Sequence, residues 1–114
     1  MVHWLEHASW GRIVVLGLLG AGLFELVTAI LRFRLRLRSS QQTAWIGRLT
    51  FGLRIHHGYA GILLLLLATL PLSPFPLRLG IIVGLGLALS DALHHFVVLP
   101  LTVGATEFDT HYAR

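Results

Sequence analysis

Three apolar runs constrain this chain most: Ile13 to Leu31, Ile55 to Leu70 and Leu77 to Leu99. A helix that crosses a bilayer needs about 20 mostly apolar residues, and the first and third runs have that length. The second is shorter and carries His56 and His57 at its head, so it is expected to sit slightly sunk or to lean on its neighbours. Between the second and third runs, Pro71-Leu72-Ser73-Pro74-Phe75-Pro76 cannot continue a helix, because proline removes donors and disfavours helical geometry in the residue before it. A tight turn there makes runs two and three an antiparallel hairpin. The expected fold is all-α, an integral membrane three-helix bundle forming a single domain over residues 1–114.

Composition supports that expectation. The chain is 55% hydrophobic and 12% charged, with a mean hydropathy of +0.77, whereas soluble domains carry about 25% charged residues. The absence of cysteine excludes disulfide scaffolds, thiol catalysis, Cys-ligated zinc and iron–sulfur clusters. Any metal must then be held by histidine and carboxylate. All nine basic side chains are arginine, the net charge is +4, and the arginines cluster beside apolar runs. That placement points to anionic lipid headgroups and away from nucleic acid.

Arg32, Arg34, Arg36, Arg38, Arg48 and Arg54 all lie between the first two runs with no acid among them. The positive-inside rule assigns this loop, residues 32–54, to the cytoplasm. The N-terminus and the proline turn then face outward, and the tail from 100 to 114 faces inward. The basic residues follow the first run and no small-residue cleavage site is visible, so this run is expected to stay as an anchor. Arg32 to Arg38 alternate with apolar residues and are expected as an extended segment or a frayed helix end reaching lipid phosphate. Trp45, Ile46, Leu49 and Leu53 recur at helical spacing, which predicts a short interfacial amphipathic helix running into the second span. Trp4 and Trp10 are expected as interfacial anchors on the outer side.

Ionisable groups within spans are costly and mark functional hypotheses. They are Glu25, His56, His57, Asp91, His94 and His95. At ~1.5 Å per residue, all six fall within about 13 Å of the cytoplasmic ends of their spans. Small residues share their faces: Gly17 and Ala21 lead to Glu25, His57 leads to Gly61 and Ala68, and Gly80, Gly84 and Ala88 lead to Asp91 and His95. Because small residues mark close helix approach, the six polar groups are expected to point into the bundle as a metal site. Asp91-x-x-His94 is similar to the Glu-x-x-His element of bundle di-iron proteins, where further carboxylates come from facing helices. Imidazole and carboxylate suit a transition metal such as Fe or Zn. His56 and Tyr59 are candidates for a supporting shell or for proton handling. The plainer alternatives are wet interfacial imidazoles for His56 and His57, and an Asp91–histidine ion pair that only locks packing.

Three functions follow as expectations. The first is a non-haem metal oxidoreductase acting on a lipidic substrate at the cytoplasmic leaflet. The second is a small accessory or anchor subunit of a larger membrane complex, in which His57, His94 or His95 ligates haem or chlorophyll. The third, a proton or metal-ion transporter, is disfavoured because the outer halves of the spans hold little polar beyond Thr69 and Ser73. Gly80-x-x-x-Gly84 offers a surface for homo-oligomerisation. His3-Trp4-Leu5-Glu6-His7 looks like the inverted zincin motif but lacks a visible third ligand. Glu107, Asp109 and His111 in the tail could fold back under the cluster, or lie solvated.

Overall fold

The computed structural model describes residues 3–42, 44–73 and 76–112, and these form an all-helical chain with no strand among them. Two helices are long and apolar enough to cross a membrane. The first begins as α2 (Trp10–Ala29), after a short α1 (His3–Glu6), and continues through a π-helical turn at Ile30–Arg34. Ser9 starts α2 by accepting a hydrogen bond from the Arg12 amide at 3.4 Å, the ordinary role of a serine N-cap. The loop holds a four-residue α3 (Ser39–Gln42) and a 3-10 turn at Ala44–Arg48. The short apolar helix α4 (His57–Ala68) follows.

The second long helix is α5 (Leu77–Leu93), a π-helical turn at His94–Val98, and α6 (Leu99–Val103). It runs past Leu99, where the sequence suggested an end at Pro100. A proline ring collides with the carbonyl four residues earlier in regular α geometry, and the wider π turn from His94 leaves room for it. The helix stops instead at Gly104, whose φ of 75° is the left-handed cap that glycine adopts without a Cβ penalty.

The helices pack through their small residues, with α5 between α2 and α4. On one side, a Cβ on Gly61 would lie 2.7 Å from the Ala88 nitrogen and 2.7 Å from the Gly84 carbonyl oxygen, and one on Gly80 would lie 2.5 Å from the Ala68 Cβ. On the other side, Gly17 faces Leu85, and Gly86 faces Phe24 and Gly20. These pairings make α4 antiparallel to α5 and α2 parallel to it. The Gly80–Gly84 stripe, expected as a surface for a second copy, is therefore taken up by α4 of the same chain.

Two local expectations also change. Residues 45–53 do not form an interfacial helix running into α4. Phe51 and Gly52 have φ of 55° and 88°, left-handed values that no right-handed helix can include, and Leu53 then bridges His111 of the tail. Arg32 and Arg34 belong to the π turn that closes the first long helix, and only residues 35–38 leave helical structure. In the proline turn, Pro71 to Ser73 form the bend, while Pro74 and Phe75 lie outside the described residues.

Candidate metal centre

Because α2 and α5 run parallel and α4 runs against them, the C-terminal ends of the first two meet the N-terminal end of the third. This brings Glu25, the His56–His57 pair, Asp91, His94 and His95 to one end of the molecule. Asp91 and His95, four residues apart on one helix face, look across at His56 just ahead of α4. All three are buried. Gly58 permits the approach: a Cβ there would lie 2.6 Å from Asp91 Oδ2 and 2.8 Å from its Cβ.

His56, Asp91 and His95 form a buried group that could hold a metal ion, with one ligand atom from each lying within 4.8 Å of the others. Asp91 Oδ1 stands 3.8 Å from His56 Nδ1 and 3.7 Å from His95 Nε2. These separations are too long for hydrogen bonds. They exceed by a few tenths the ~3.3 Å expected between neighbouring ligands of a tetrahedral ion with bonds of ~2.0 Å.

The far side of each ring fixes what the near side offers. His95 Nδ1 donates to the Thr106 carbonyl at 2.8 Å, and His56 Nε2 donates to the Asp109 carbonyl at 3.0 Å. A carbonyl can only accept, so each neutral ring presents a lone pair at its other nitrogen, toward Asp91. Asp91 Oδ1 is buried without a well-aligned hydrogen bond among the described residues, its nearest polar neighbour being His57 Nδ1 in an ion-pair contact at 3.2 Å. Three electron-pair donors thus face one another, an arrangement that a cation relieves. Carbonyls behind the imidazoles are the partners that commonly orient metal-binding histidines.

The other three expected ligands are arranged differently. His57 approaches Asp91 Oδ1 at 3.2 Å through Nδ1, but its side chain is 34% exposed, and its Nε2 lies 3.4 Å from the Ser90 hydroxyl. His94 and Glu25 pair with each other at 3.0 Å, which leaves Glu25 Oε2 buried without a partner among the described residues. The His3-to-Glu6 part of the zincin-like motif occupies α1, at the opposite end of α2, with the His3 and His7 rings 5.0 Å apart.

One contributor, Phe108, carried no signal of this role in the sequence, whereas Tyr59 and the tail acids were candidates there. Phe108 stacks on the His56 ring at 4.3 Å and meets the His95 ring edge-on at 5.2 Å. Tyr59 packs edge-on against His56 at 5.2 Å. The tail does fold back, but its carboxylates serve as anchors: Glu107 bridges Arg32 at 2.7 Å and Asp109 lies 3.4 Å from Arg54. Arg54 also donates to the Glu107 carbonyl at 3.2 Å. A cavity of about 270 Å³ opens beside the centre, with Asp91 and the four histidines on its floor and Arg32, Arg38 and Arg54 among its walls.

Compared with protein-family models, curated proteins and solved structures, the chain finds no match.

Proposed function

We propose that this chain is an integral membrane metalloprotein, a three-helix bundle whose His56–Asp91–His95 centre holds Fe or Zn and serves a non-haem oxidoreductase acting on a lipidic substrate. The observation that carries the reading is the buried Asp91 carboxylate, whose Oδ1 has only the partly exposed His57 in ion-pair contact and faces two imidazole nitrogens whose protons are committed elsewhere. Two histidines and one carboxylate are the donor set of non-haem Fe(II) centres with open coordination positions, and catalytic zinc uses similar sets. When bound, such an ion supplies a Lewis acid or, as iron, a redox centre. The pairing of Glu25 with His94 favours one metal over two.

Around the ion, each part of the chain has a defined task. Thr106 and Asp109 hold the ring protons of His95 and His56 on the side away from the centre. Phe108 covers the imidazoles, and the cavity leaves an approach beside His57.

Membrane insertion is supported by surface and shape. Leu18, Leu19, Leu23 and Leu26 on α2 are each more than half exposed, which suits lipid and not the core of a soluble domain. The molecule is 47 Å along its longest axis, close to the ~40–45 Å of a bilayer with its headgroups. Loop and tail share one end through the Arg32–Glu107 and Arg54–Asp109 pairs. The arginine excess assigns that end to the cytoplasm.

Elemental analysis and a UV–visible spectrum of purified, folded protein test the reading together. We expect stoichiometric Fe or Zn, lost in Asp91→Asn and His95→Ala. Folded protein free of metal overturns it, and a Soret band would move the assignment to the haem-bearing accessory subunit.

A further inference from the structure

The cavity beside the centre has a wall that metal binding does not use. Arg32, Arg38, Arg54 and Gln42 contribute to it. The other loop arginines, Arg34, Arg36 and Arg48, are exposed and do not line it. A positive-inside role explains those three, since it asks only for charge near the surface. It does not explain why Arg32 keeps a side-chain exposure of only 13%.

The Arg32 guanidinium is partly engaged. One terminal nitrogen meets Glu107 Oε1 at 2.7 Å, while Nε is buried with no hydrogen-bond partner among the described residues. A buried donor without an acceptor is costly. A guanidinium edge presents two parallel N–H groups, which match two oxygens of a phosphate. Arg32 sits in the π turn at Ile30–Arg34, and the floor of the cavity includes His94 and His95 from the other π turn. Such turns re-aim side chains and occur often at functional sites. The remaining wall includes Leu37, Ile55 and Leu99, which suit hydrocarbon.

We propose that this cavity binds the phosphate group of an anionic amphiphile, with Arg32 as its main ligand and Arg54 and Arg38 supplying further charge. This deepens the metalloprotein reading and rests on it, because the phosphate would lie beside the His56–Asp91–His95 centre. Glu107 then acts as an internal competitor for Arg32.

The competition gives a test that separates binding from scaffolding. The full chain in detergent is titrated with dihexanoyl phosphatidic acid, with the matching diacylglycerol that lacks phosphate, and with inorganic phosphate, while native mass spectrometry reads occupancy and metal content. We expect phosphatidic acid to bind at least about 10-fold more tightly than the diacylglycerol, since charge-assisted hydrogen bonds of this kind have that magnitude. Arg32→Gln should remove the preference, Arg34→Gln should keep it, and Glu107→Gln should keep or strengthen it. If Arg32 only anchors the tail, Arg32→Gln and Glu107→Gln weaken binding alike, and the proposal falls. It falls also if the diacylglycerol binds as well as phosphatidic acid. Displacement of bound lipid by inorganic phosphate supports a site that free phosphate can fill, and resistance to displacement supports a lipid headgroup held by its chains as well. Metal present without phosphate preference overturns this inference alone. Arg32-dependent binding to metal-free protein overturns the metal centre and leaves the phosphate site standing.

Discussion

Asp91 and His95 can serve one ion because a four-residue step stacks them on one face of the same helix, and that pair is legible in the sequence. The third ligand is less so. His56 and His57 are neighbours, and no spacing rule prefers one. His56 joins the group that could hold an ion because it precedes the first turn of α4 in an extended conformation, with ψ of 145°, which lets its ring stack on Phe108 and donate to the Asp109 carbonyl. Those partners were invisible in the sequence for a physical reason: a backbone carbonyl has no residue type, and only the folded tail aims it. His94 tests the division of labour. His95→Ala should weaken metal binding by roughly 100-fold or more, beyond the 10–100-fold typical of losing a supporting hydrogen bond. His94→Ala should leave metal stoichiometry intact and cost about 1–3 kcal/mol of stability by stranding the Glu25 carboxylate. Metal content and thermal unfolding of the two variants check both. Loss of metal in His94→Ala would show that Glu25 and His94 belong to the centre.

At the scale of elements, the three apolar runs were legible because hydropathy alone marks them, whereas their ends were not. The π turns at Ile30–Arg34 and His94–Val98 lengthen both long helices, and no local sequence pattern specifies a π turn, which depends on what the turn packs against. The small-residue faces were also legible, although their use was not: the same Gly80–Gly84 stripe serves an internal or an external partner equally well until α4 is placed. Gly58 and Gly61 separate packing from chemistry. A methyl on Gly61 would meet the Gly84 carbonyl oxygen and the Ala88 nitrogen, both backbone atoms that cannot swing aside. Gly61→Ala should therefore force α4 and α5 apart at a cost of about 1–3 kcal/mol, the usual range for overpacking. A methyl on Gly58 would meet Asp91 itself. Gly58→Ala should displace the carboxylate and lower metal affinity more than it lowers the unfolding temperature, whereas Gly61→Ala should do the reverse. Metal titration and thermal unfolding of the two variants side by side distinguish these outcomes.

For the whole molecule, the decisive relation is that loop and tail meet at one end while α1 and the proline turn lie at the other. Arg54 draws the tail in through the Glu107 carbonyl and Asp109, the Arg54 amide donates to the Thr110 carbonyl at 2.8 Å, and Tyr112 donates to the Gly52 carbonyl at 2.8 Å. A chain with three crossings must place these segments so, since the first and last crossings run in the same direction. Two crossings with α4 outside the bilayer would put loop and tail on opposite faces, which their contacts forbid. At ~1.5 Å per residue, the twelve residues of α4 cover only ~18 Å of a ~30 Å hydrocarbon layer. In the proposed three-crossing arrangement its flanks or a thinned bilayer supply the rest. The absence of native cysteine makes the question direct. Single cysteines at Ser9, Ser73 and Thr110, positions outside the long helices, can be labelled in sealed inside-out and right-side-out vesicles with a membrane-impermeant maleimide. Three crossings in the proposed orientation require Ser9→Cys and Ser73→Cys to react from the outer face and Thr110→Cys from the cytoplasmic face. Labelling of Ser73→Cys from the cytoplasmic face would overturn the three crossings, because α5 would then have to run against α2 and carry Asp91 and His95 away from Glu25, whereas Glu25 pairs with His94 and α2 lies parallel to α5.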